Sequence, residues 1–387
     1  MATHLKGPGN ERGIALIVAI IALVIIGLLA GASLYFSGVE RRAGGGSVEA
    51  SQAFNAADAG AENTLAAWSA NAPVWNALAV DSSIVLTTTS LGGGNAYSPI
   101  ITRISPTLFW IRSTGTSGNR GGSVTARAVV GNTVRLLVPN IDIRAAVTVN
   151  GPTTISGSSQ ISGVDSIPVG WGSSCAPAVP PVAGVRDSSA TVTTSGACSG
   201  ASCITGVPQI LVDSTVNSGT FNQFGSIDFA GLAASATWTI SGTVNGLGPT
   251  QSGSPASCTL SSSTNWGEPN TGFGSVSSCF NYFPILYAPG DVRITGGRGQ
   301  GILLVEGDLE LAGGVDFYGA VIVHGHVRST GTGGHVFGGL LAQSADLSAT
   351  LISGNSVVDY SACAVTRATR GSAAATRLGE RGWAQLF

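Results

Sequence analysis

From Gly13 to Val39 no position carries a charge. The centre of that stretch reads Ile14-Ala-Leu-Ile-Val-Ala-Ile-Ile-Ala-Leu-Val-Ile-Ile-Gly-Leu-Leu. As a helix, the run from Ile14 to Phe36 would extend about 34 Å, enough to cross a hydrocarbon layer of about 30 Å with some tilt. Peptide groups find no water there, so the pattern predicts a membrane-crossing helix. Charge returns at Glu40-Arg41-Arg42. A helical spacing then resumes, with Ala53, Ala57, Ala61 and Leu65 on one face and Asp58 and Glu62 on another. Between the two parts lie Gly44-Gly45-Gly46, which predict a bend, since each glycine weakens a helix by about 1 kcal/mol.

After residue 80 the period changes to two. Ile84-Val-Leu-Thr-Thr-Thr, Thr107-Leu-Phe-Trp-Ile-Arg-Ser-Thr and Ser123-Val-Thr-Ala-Arg-Ala-Val-Val-Gly predict an antiparallel meander over 80–140. From Ile141 short apolar runs alternate with glycine, and later the runs acquire a period. Ile285-Leu-Tyr-Ala-Pro-Gly-Asp291, Ile302-Leu-Leu-Val-Glu-Gly-Asp308, Ala320-Val-Ile-Val-His-Gly-His326 and Leu340-Leu-Ala-Gln-Ser-Ala-Asp346 begin 17, 18 and 20 residues apart. Repeats this short correspond to single coils of a solenoid, each burying its apolar side on the next. The reading is a short parallel β-helix over 283–363, with 141–165 as a first coil supplied from earlier in the chain. Residues 166–282 read as an insertion and 364–387 as a tail that docks or forms a terminal strand. The fold class expected is α+β.

Six cysteines, all beyond the apolar run, predict disulfides in an oxidising compartment. The pairings favoured are Cys258 with Cys279 and Cys198 with Cys203, leaving Cys175 and Cys363. Only 10% of residues are charged and the net charge is −2, with no basic run to take a nucleic acid. His324, His326 and His335, near Asp308, Glu310 and Asp316, could bind a metal or serve a glycan-cleaving site. Their spacing matches no metal signature, so exposed coil surface is the better reading, with His335 in a turn. Gly296-Gly-Arg-Gly-Gln-Gly301 lacks the Lys-Ser/Thr of a phosphate loop and reads as a corner between coils. No catalytic or cofactor motif is present, so neither enzyme activity nor a cofactor is expected.

A polar leader ending in Arg12-Gly13 precedes Ile14-Ala-Leu-Ile-Val. Then come the span, Glu40-Arg41 and Gln52-Ala-Phe-Asn-Ala-Ala-Asp-Ala-Gly-Ala-Glu62. Over residues 10–68 this resembles the amino-terminal region of PilX-like minor pilins of type IV pili. The resemblance implies a leader at 1–13, cleavage between Gly13 and Ile14 by a prepilin peptidase, and N-methylation of Ile14. It implies a transmembrane helix at 14–38, continued at 39–70 outside the bacterial inner membrane, with the head in the periplasm and later on a surface pilus. Partners would be other minor and major pilins, met through the helix. Where many major pilins carry Glu at the fifth mature position, this chain has Val18, which points to an initiating or capping subunit. A cleaved secretory signal and a plain single-span anchor are the competing readings of the apolar run. The Lys/Arg count of two on each flank does not orient the helix. The alternative function is a single-span exported surface protein whose β-helix binds a glycan or another surface ligand.

Overall fold

The computed structural model describes residues 12–118, 124–189, 192–254, 256–269, 277–350, 356–379 and 382–386. The expected leader, residues 1–13, therefore lies almost wholly outside the described residues. Helix α1 runs unbroken from Arg12–Ala66, roughly 80 Å at 1.5 Å per residue. The bend expected at Gly44-Gly45-Gly46 is absent. Helix growth needs a costly nucleus only once. A break flanked by long helical segments would open two more uncapped ends, which three glycines do not outweigh. A short second helix, α2 (Trp68–Trp75), follows.

Strands β1 (Ser83–Val85), β2 (Thr89–Gly92), β3 (Asn95–Arg103), β4 (Leu108–Gly118) and β5 (Val124–Leu137) form an antiparallel sheet. The tail completes it: residues 374–377 and 383–386 pair antiparallel with β5. Along β4 every second residue is buried, as the alternation requires. Phe109 and Ile111 meet the Ala57 and Ala61 face of α1, together with Val130, Val134 and Trp68. Ala53, Ala57 and Ala61 are fully buried. Small residues at i, i+4 let the helix lie close to the sheet, and Gly115 makes the closest approach. A Cβ there would overlap the backbone of Ala53 and Ala57. Gly115→Val should lower head stability by about 3 kcal/mol, as overpacking with no room to yield, visible as a lower urea midpoint. An unchanged midpoint would refute this account of the docking.

Among the described residues the larger sheet has fifteen strands. Every pairing in it is parallel. Its register follows one inward column: Trp238, Leu286, Leu303, Val321, Leu340, Val147, Val185 and Ile210. Ile285, Ile302, Ala320 and Gly339 form the column beside it. The fourth repeat thus starts one residue earlier than the apolar run suggests.

Two expectations are corrected by this register. Residues 141–165 do not precede the first repeat. They stack on the last, Leu340 pairing with Val147 and Ala345 with Thr153. The rung that follows residues 334–350 is assembled from two distant pieces, since 357–360 pairs with 335–338 while 145–149 continues beside 340–342. Nor does 166–282 stand outside the repeat. Residues 183–187, 192–194, 204–205 and 210–212 extend one end of the ladder, and 238–247 extends the other. One apolar core fills the ladder's interior. A second lies between its outer wall and a cover made of Trp171, Phe221, Phe229, Phe280, Phe283 and the helix at 362–371. Each large apolar side chain so buried contributes about 1.5–3 kcal/mol relative to exposure, which a single rung could not collect.

Candidate functional site

The first candidate is the amino-terminal half of α1. Every large apolar side chain from Leu16 to Phe36 is between 50% and 76% exposed. The mean hydropathy of the segment reaches 2.9. Water does not tolerate so long an uncovered apolar surface, so it needs lipid or other helices around it. Gly13 and Ile14 are the second and third residues of this helix. Val18 stands exposed and uncharged among its neighbours. Gly27 and Gly31 are four apart and face open space. Such small-residue spacing lets a second apolar helix approach closely, and it was legible in the pattern Gly27-Leu-Leu-Ala-Gly31.

Asp58 and Glu62 do not form a joint site. Glu62 pairs with Arg377 of the tail, which ties α1 to the end of the chain.

The second candidate is the polar stripe on the parallel ladder. His324 Nδ1 lies 2.8 Å from Glu306 Oε2, and its ring stacks 3.9 Å from that of Phe229. Its Nε2 is buried without a hydrogen bond. The backbone N–H of His326 donates to Asp308 Oδ1 at 2.8 Å, and the backbone N–H of Asp308 donates to Asp291 Oδ1 at 2.8 Å. His335 lies in the strand Gly334–Thr350, not in a turn, with Nδ1 2.9 Å from Asp316 Oδ1. The stripe therefore resolves into separate pairs between adjacent rungs. Among the described residues no three His, Cys, Asp or Glu side chains converge to hold a metal. Asp291, Arg293, Asp308, Glu310, His326 and Arg328 line a shallow depression of about 390 Å³.

Several groups are shifted by their surroundings. Burial, then Asp316, pushes the Tyr318 hydroxyl up to about 12. Burial raises Asp359, partly offset by His335. Arg367, held between Trp171, Phe280 and Phe283, is brought down to about 10 by burial. Asp213 is drawn down to about 2 by hydrogen bonds from Thr215, then from Arg186. All four belong to packing and rung-to-rung contacts.

Gly296 and Gly297, both at positive φ, bend the strand Val292–Val305 between its two halves. The structure contains three disulfides: Cys175–Cys363, Cys198–Cys203 and Cys258–Cys279.

No protein-family description matches the chain, and no curated protein matches it. Among solved structures, the competence-associated pilin ComZ from Thermus thermophilus aligns over 87% of this chain and 97% of its own, at 12% identity and a TM-score of 0.25.

Proposed function

We propose that this chain is a non-catalytic minor pilin of a type IV pilus. The observation that carries the reading is α1 itself. A single helix is bare and apolar at one end and, past residue 52, is sunk into a β head by a row of alanines. That build suits a subunit held in the inner membrane by Leu16–Phe36 and later packed against other pilins through the same surface. On this reading the peptidase cuts between Gly13 and Ile14, Ile14 becomes the methylated terminus, and the head faces the periplasm before export to the cell surface. Val18 offers no charge to a neighbour's terminus, which suits an initiating or capping position. The parallel ladder is read as a short β-helix.

Intact-mass and peptide spectra of the protein purified from its native host should give a mature chain beginning at N-methylated Ile14. Gly13→Ala should leave it unprocessed. A mature chain beginning at Met1 or Ser33 would reject the proposal.

A further inference from the structure

The outer face of the antiparallel sheet carries a row of exposed arginines. Arg135 is opposite Leu108, Arg112 opposite Gly131, and Arg127 opposite Thr116. The three therefore recur every four residues along one face, about 14 Å apart. This is the face away from α1, which packs on Phe109, Ile111, Val130 and Val134. All three arginines are exposed, and among the described residues none forms an ion pair. No Asp or Glu occurs in any of the seven strands. Between Arg112 and Arg135, the half-buried Trp110 lies across Gly131, where a Cβ would overlap its ring. The result is a flat positive stripe roughly 27 Å long with one indole face on it.

We propose that this face binds a linear acidic polysaccharide bearing carboxylates along its length. The charge complementarity is specific in three respects. Arginine presents a planar fork that matches a carboxylate in two hydrogen bonds. The arginines stand farther apart than the screening length of about 8–10 Å at physiological salt, so each can take its own carboxylate with little mutual repulsion. A single flat indole suits the apolar face of one sugar ring. A nucleic acid fits less well: its strand carries a phosphate about every 3.4 Å in duplex form, and single-strand binders stack successive bases on successive aromatic rings. This inference does not rest on the pilin reading.

The test uses the full chain in detergent micelles. The probes are hyaluronate oligosaccharides, neutral dextran and an oligothymidylate, with calorimetry as the readout. Hyaluronate should bind, more weakly as salt rises, and dextran should not. The variant R112A/R127A/R135A should lose at least tenfold in hyaluronate affinity. The variant R112K/R127K/R135K, which keeps the charge and loses the fork, should fall between it and the parent. All three side chains are exposed, so an unchanged circular dichroism spectrum is expected for both. Failure of the parent to bind hyaluronate overturns the proposal. So does unchanged affinity in the alanine variant, or tighter binding of the oligothymidylate than of hyaluronate.

Discussion

Gly319→Val is expected to prevent the parallel ladder from forming. Gly301, Gly319 and Gly338 are paired in successive rungs, with φ of 122°, 140° and 146°. A Cβ at each would overlap the backbone of an earlier rung: Pro284 under Gly301, Gly301 under Gly319, and Gly319 under Gly338. The obstacle is thus doubled. The backbone lies where L residues rarely go, and the space is filled by peptide groups that cannot rotate away. A β-branched side chain should cost more than about 4 kcal/mol, the range reserved for few mechanisms, against a total stability of about 5–15 kcal/mol. The variant should appear in inclusion bodies or be rapidly proteolysed. Gly331→Ala is the control. Its φ is 67°, but no atom lies nearer than 4.0 Å to the added carbon, so it should cost only about 1–2 kcal/mol. If Gly319→Val unfolds cooperatively at the parent's midpoint, the glycine column is not what sets rung spacing.

The rung spacing was visible in the sequence because each repeat combines a short apolar run with glycine corners. What escaped the sequence was which end of the repeat residues 141–165 would join. Leu340 and Val147 meet across almost two hundred positions, and no period runs between them. The ladder accepts either chain piece because a parallel rung asks only for an apolar inward column and an open edge, which residues 145–149 and 357–360 both offer. The arginine stripe escaped for a related reason. Arg112, Arg127 and Arg135 form no run, and only the β4–β5 register brings them to one face. The helix is legible end to end except at its glycines, where local propensity favours a bend but the cost of breaking a helix in two overrides it. The histidines were legible as polar surface, but only the rung register gave each its own carboxylate.

Removing the Cys175–Cys363 bridge is expected to destabilise the protein more than removing either of the others. The three bonds close loops of very different length, with sequence separations of 188, 21 and 5 residues. If a bridge acts mainly by restricting the unfolded chain, the expected losses are about 5, about 3 and about 2 kcal/mol for Cys175–Cys363, Cys258–Cys279 and Cys198–Cys203. Cys363 is the second residue of the helix 362–371, whose Ala364 and Ala368 cover Ile302, Ala320 and Ile322. Cys175 follows the loop that delivers Trp171 to the same cover. Arg367 remains over Trp171, Phe280 and Phe283 without the bond, so the native cover should persist while the unfolded chain gains freedom. Unfolding free energies of the three double Cys→Ala variants should therefore fall in order of loop length, with the denaturant slope rising most where the longest loop is opened. Equal shifts would mean that the bridges act through the folded cover and not through the chain entropy of the unfolded state.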